Sequence, residues 1–254
     1  MKARVPFLVL LAATLSADQV AVRRTEGRIH GFLVLRDLEG NIVASGESTQ
    51  LASGNRVTNE LKFHFKDGST HQETSVYSQR RVFQLLSYRL VQKGKAFKRP
   101  TDMTVDVATG QVTIIYADDD GKEKTIREAM KLPPDLANGI VSTLIGDLDP
   151  KTPKTTVSMV AATPKPRLVK LEITPQGEDS FTVAGSPHKA LLYNIKVEIG
   201  GISGVIAPIM GKQPSDTRVW MIGGKAPGFL RSEGPMCDGC PIWRIELVSP
   251  VWPK

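Results

Sequence analysis

Runs rich in β-branched and aromatic residues, broken by turn signals about every 8 to 14 residues, recur along nearly the whole of this chain. Such punctuation leaves no room for long apolar helical stripes, and it directs the chain into antiparallel strands joined by short hairpins. The first hairpin is predicted to join Phe32-Leu33-Val34-Leu35 to Ile42-Val43-Ala44 through Asp37-Leu38-Glu39-Gly40-Asn41. A second joins Leu61-Lys62-Phe63-His64-Phe65 to Gln72-Glu73-Thr74-Ser75-Val76 through Asp67-Gly68. An Asp-Gly pair suits a two-residue type I′ turn, because both central positions need positive φ. Further strands are expected at 84–91, 103–107, 111–116, 124–127, 155–161, 167–173, 180–184, 191–199, 217–222 and 242–248, with turns at 106–110 and 118–121. Prolines inside Ala207-Pro208-Ile209 and Gln213-Pro214 mark irregular or edge segments.

One segment departs from this pattern. Residues 132–146 begin Leu132-Pro133-Pro134-Asp135, carry Leu136, Ile140, Val141, Leu144 and Ile145 at helical spacing, and end at Gly146, which predicts a short amphipathic helix. The expected fold is therefore mainly β: an antiparallel curved sheet or open barrel of meander hairpins with one amphipathic helix at 132–146 packed on it. All-β sandwiches and barrels reach this length as one unit, so residues 18–254 are expected to form a single domain with a seam near 150.

The first residues, Met1-Lys2-Ala3-Arg4, precede an apolar stretch from Val5 to Leu15 and then Ser16-Ala17-Asp18. A charged start, a short apolar middle and small residues at the end are the layout of a secretory signal peptide, here 1–17. The apolar stretch falls short of the roughly 20 residues needed to span a hydrocarbon core, so no transmembrane anchor is expected in the mature chain. The implied location is periplasmic or secreted. Net charge is +7, of which Lys2 and Arg4 supply two, and the basic residues are spread out rather than clustered. A nucleic-acid footprint would need them gathered on one face or in one run.

Few residues suggest chemistry. A two-residue turn at Asp67-Gly68 would set Lys66 opposite Ser69 and hence His64 opposite His71, with Glu73 on the same face. Such neighbours, with Cβ atoms about 5 Å apart, could form a two-histidine, one-carboxylate metal site; a solvent-facing hairpin with a Lys62–Glu73 ion pair fits the same residues. Cys237 and Cys240 are the only cysteines, and in an exported chain they are expected to form a loop-stapling disulfide. The strand-like run after them lacks the helix N-terminus that would activate a redox thiol. Gly201-Ile202-Ser203-Gly204 lacks the second glycine of a hydrolase elbow, and His30 and His188 stand singly. No catalytic residue and no cofactor are assigned, and a non-enzymatic role is preferred. Phe63, Phe65, Trp220 and Trp243 are candidates to line an apolar ligand cavity, with core packing as the alternative.

The order of elements, from export signal through antiparallel strands to the Leu132-Pro133-Pro134-Asp135 helix and more strands, resembles the periplasmic lipoprotein-carrier half-barrels of the LolA/LolB type. Asp106-Val107-Ala108-Thr109-Gly110 as a mid-sheet hairpin and Pro214-Ser215-Asp216-Thr217-Arg218-Val219-Trp220 before a late strand fit it too. The resemblance implies a strongly curved sheet around a helix, with an apolar concave face that holds a lipid-like or other apolar small molecule and the helix as lid or plug. It transfers no functional residue. Two other classes remain: a structural or adaptor protein that presents sheet edges to an envelope partner, and a metal-dependent enzyme using His64, His71 and Glu73.

Overall fold

The computed structural model describes residues 19–118, 120–161, 163, 165–183, 186–198, 214–224 and 227–248. The export signal expected at 1–17, the Gly201–Gly204 turn and the proline segment at 207–209 lie outside these residues. The first eight strands are β1 (Ile29–Arg36), β2 (Ile42–Ser53), β3 (Arg56–Phe65), β4 (Thr70–Gln79), β5 (Phe83–Lys93), β6 (Thr101–Asp106), β7 (Gln111–Ala117) and β8 (Glu123–Ala129). Helix α1 (Val141–Asp147) follows, then β9 (Thr155–Ala161), β10 (Arg167–Val183), β11 (Ser186–Glu198), β12 (Thr217–Ile222), β13 (Gly228–Pro235) and β14 (Ile242–Leu247).

All fourteen strands form one antiparallel sheet in the order β8-β7-β6-β5-β4-β3-β2-β1-β14-β13-β12-β11-β10-β9. Sequence neighbours pair throughout, and β1 pairs with β14, so the sheet is a meander open only between β8 and β9. β5 and β11 stand eight strand positions apart, roughly 38 Å if the sheet were flat. Leu85 and Tyr88 of β5 nevertheless share one buried cluster with Tyr193 and Ile195 of β11, so the sheet curls round on itself. Leu136, Ile140, Leu144 and Ile145 from the β8–β9 connection fill the space between. Burying a leucine or isoleucine fully is worth about 1.5–3 kcal/mol, so these four side chains supply much of the grip between the two halves.

The mainly-β, antiparallel expectation is met, with one short helix. That helix covers only the second half of 132–146. Residues 135–138 instead lie beside β9 through a single parallel bridge, Leu136 to Ser158: Ala137 N–H donates to Ser158 O at 2.8 Å, and Ser158 N–H donates to Asp135 O at 3.2 Å. The Asn138 amide bonds the Val160 backbone at both ends, at 2.8 and 2.9 Å. The edge of β9 would otherwise expose unpaired backbone groups, and satisfying them outweighs helical propensity here. The side chains of Leu136 and Ile140 still point to the core, so the apolar spacing marked burial correctly but not conformation.

The second hairpin also differs. Phe65 N–H donates to Ser69 O, and Gly68 N–H donates to Phe65 O, so the loop has three residues with Gly68 alone at positive φ of 84°. A type I turn closed by a left-handed glycine needs one such position, which suits Lys66-Asp67-Gly68 better than a turn needing two. The Asp67 carboxylate caps the loop by accepting Ser69 N–H at 2.9 Å. The extra loop residue shifts the register by one.

Later in the chain, β10 and β11 are longer than expected and absorb residues 180–183, and β13 is a strand the sequence pattern did not mark. Its residues, Gly228-Phe229-Leu230-Arg231-Ser232-Glu233-Gly234-Pro235, mix charge with glycine and proline, and flanking strands rather than propensity hold them extended.

Candidate functional site

Cross-strand partners in an antiparallel sheet share a face, so the register gives the inner surface row by row. Near one rim, Leu35, Ala44 and Phe65 line up across β1–β3, and next to them Leu33, Gly46, Phe63, His71 and Gln92 across β1–β5. These rows, with Phe97 and Trp243, make a compact second core. Phe65 and Phe97 pack edge to face with centroids 5.3 Å apart, and Phe65 and Trp243 meet at a tilt of 58° with centroids 5.4 Å apart. The Cys237–Cys240 disulfide is formed and packs on the outside of this core. At the other rim, Ala52, Val57, Tyr77 and Leu85 join the helix cluster.

The two rows between these cores are different. One reads Gly31, Ser48, Leu61, Glu73, and the other Ile29, Gln50, Asn59, Ser75. Here the two cores do not meet, and a cavity of about 1370 Å³ opens between the walls of the curled sheet. Its far wall is apolar, built from Met159, Leu171, Ile195, Val219, Met221 and Leu247, while Val141, Ser142 and Thr143 of the helix close one end. The mouth lies where β1 outruns its partner: β14 pairs with β1 from Leu33 onward and Val248 N–H donates to Phe32 O at 2.9 Å, which leaves residues 29–31 without a strand neighbour on that side among the described residues. Phe32, 62% exposed, and Ile29 stand there, opposite Phe181 and His188 of the long β10–β11 hairpin.

The polar band on the near wall is closely wired. Gln50 donates to a Glu26 oxygen at 2.6 Å, and its own carbonyl accepts the Tyr77 hydroxyl at 3.3 Å. Burial pushes the Glu26 carboxyl above its ordinary range, against the hydrogen bond from Gln50. Burial likewise drives the Tyr77 hydroxyl well above the usual phenol range. Ser75 Oγ donates to Gly139 O at 3.2 Å, tying the band to the helix entry. Glu73, 26% exposed, faces the cavity with its side chain beside the Tyr88 hydroxyl, which burial and then the Glu73 carboxylate hold above its usual range.

His71 backs this band from the aromatic core. It is 1% exposed, and its Nδ1 accepts the Gln92 amide at 3.1 Å. The same amide donates to Met236 O at 2.9 Å, which fixes its orientation. The ring proton therefore sits on Nε2, which faces Glu73 Oε1 at 3.5 Å and has no hydrogen-bond partner among the described residues.

The expected metal site is not assembled. Phe63, not His64, faces His71, while His64 faces Thr70 on the outer surface, so the two histidines lie on opposite faces of the sheet. The three-residue loop is the cause. Lys62 likewise pairs with Glu60 at 2.7 Å rather than with Glu73. No group of three or more metal-ligating side chains is present among the described residues.

None of the four aromatic candidates lines the cavity. Phe63, Phe65 and Trp243 are the aromatic core that closes one end. Trp220 is on the outer face, between the cavity residues Val219 and Met221. It is 3% exposed there because the Arg231 guanidinium stacks 4.0 Å above its ring, while its indole N–H donates to Asp179 at 2.7 Å. Most of the cavity residues that sequence reasoning missed are aliphatic or small polar side chains, joined by Glu26 and the rings of Phe32, Phe181 and Phe229, and cross-strand register, fixed by loop length, is the signal that would have found those on the strands.

A buried Ser158–Lys170–Asp135 cluster, with Ser158 Oγ 2.9 Å from Lys170 Nζ and 2.8 Å from Asp135 Oδ2, has the members of a hydroxyl–amine pair. Ser158 is fully buried, no cavity described above reaches it, and the cluster pins the 135–138 segment to β9. No family model, curated protein or solved structure matches this chain.

Proposed function

We propose that this chain is an exported protein of the cell envelope that holds a lipid-like or other apolar ligand inside its curled sheet, without catalysis. The observation that carries this reading is the cavity of about 1370 Å³ between an aliphatic wall and a polar band. Ligand sites are concave, mostly apolar and fitted with a few polar groups, commonly at about 300–1,000 Å³, and this one exceeds that range. An aliphatic hollow of such size gains nothing by holding water, and a chain-like guest restores the dispersion contacts that its walls lack. The Lys2-to-Ala17 signal pattern supports export, and the disulfide is consistent with an oxidising compartment.

An adaptor that presents its sheet edges is less favoured by the structure. The edge of β9 is covered by residues 135–138, and β8 carries Glu123, Lys124, Arg127 and Glu128, charges of the kind that keep edge strands from pairing.

Native mass spectrometry of the protein purified from its own compartment tests the carrier reading. Added mass in the lipid range, lost on denaturation and reduced by Val219→Trp, which fills the cavity, supports it. A bare monomer that also fails to take up the neutral apolar dye N-phenyl-1-naphthylamine overturns it.

A further inference from the structure

The charges around the cavity say which end of an amphiphile it accepts. Lys189 is the one lysine or arginine among the cavity residues, and it is already paired with Glu178 at 2.6 Å. His30 is held by Glu47 at 3.1 Å, and Glu60 is neutralised by Lys62. Two charges remain: Glu26 and Glu73 have no lysine or arginine within ion-pair distance among the described residues. Between them, on the same two inner rows, the Asn59 side-chain oxygen is buried with no hydrogen-bond partner. Gln50 cannot meet these needs, because its amide is committed to Glu26. His71, almost fully buried, brings its Nε2–H, which has no hydrogen-bond partner among the described residues, to 3.5 Å from Glu73 Oε1.

The band thus holds two carboxylates without a cation and one buried amide oxygen without a donor, and a buried acceptor left unpaired costs about 1–3 kcal/mol. A guest that supplies N–H groups and positive charge removes that cost, whereas a carboxylate or phosphate would add repulsion.

We infer that the cavity takes a single-chain amphiphile with a protonated amine head, seated against Glu26, Asn59 and Glu73, with its alkyl chain along Met159, Leu171, Ile195 and Val219. This rests on the ligand-carrier reading above and names its ligand class. The preference opposes the net charge of +7, which by itself would draw anionic amphiphiles to the surface.

The test is displacement of N-phenyl-1-naphthylamine by chain-matched dodecylamine and dodecanoate at neutral pH, each below its micelle concentration. Dodecylamine is expected to displace the dye at about tenfold lower concentration than dodecanoate, the size of one or two charge-assisted hydrogen bonds. Glu73→Gln should cut that preference to about threefold or less, each amphiphile being compared against the variant's own dye affinity, and Glu26→Gln provides a second variant should Glu73→Gln fold poorly. Dodecanoate competing as well as dodecylamine, or a preference that survives both substitutions, overturns the inference and leaves the carrier reading standing. Failure of the wild-type protein to bind the dye or either amphiphile overturns both.

Discussion

Gly46 stands directly across β2–β3 from Phe63, and the ring and the Lys62 carbonyl occupy the place where any β-carbon at position 46 would go. Phe63 is fully buried and anchors the aromatic core, so it cannot swing aside without disturbing Phe65, Phe97 and Trp243. Gly46→Ala is therefore expected to lower stability by about 1–3 kcal/mol, the usual cost of overpacking a filled core. Chemical denaturation checks this, and a variant as stable as the parent would show that the aromatic core has slack.

The Glu26 carboxyl also gives stability a pH dependence. Burial holds it above its ordinary value of 4.5, and burial holds nearby Asp147 above 3.8 against the Arg23 and Arg24 amides. As pH rises from 4.5 through the raised value of Glu26, the unfolded chain releases this proton first and the folded chain binds more protons. Stability must then fall across that window. Glu26→Gln keeps the acceptor for Gln50, abolishes the titration and relieves the repulsion on Asp147. Urea midpoints measured from mildly acidic to neutral pH should decline less steeply in the variant than in the parent, and an equal slope would remove Glu26 from the account.

The Asp135 carboxylate is fully buried and relies on Ser158 at 2.8 Å and Lys170 at 3.4 Å. Lys170→Met strips the only cation near it among the described ion pairs and should cost about 1–3 kcal/mol, less than for a wholly sealed pair because the Lys170 side chain is partly exposed. Adding Asp135→Asn should recover much of that loss, since no charge then remains to compensate. Additive effects in the double variant would show that the two residues act independently.

Much of the architecture was legible in the chain. Alternating β-branched runs and turn residues mark most strands, and the bounds 155–161 and 217–222 agree to the residue. The apolar spacing of Leu136, Ile140, Leu144 and Ile145 identified the segment that fills the curled sheet. The register of the second hairpin was not legible from Asp67-Gly68 alone. A two-residue and a three-residue loop use the same glycine, and the choice between them exchanges the two faces of every strand position that follows.

That single choice decides the candidate site. The sequence by itself determined that the chain would form antiparallel strands, where they turn, and which short segment interrupts them, because those features depend on residue type and near neighbours. Only the tertiary structure decided that β1 meets β14, that residues 135–138 bridge to the edge of β9 rather than begin a helix, and that Glu73 faces a cavity while His64 faces outward. Those outcomes arise from pairing between residues far apart in the chain, where satisfying backbone hydrogen bonds and burying apolar surface across the whole sheet outweighs local preference.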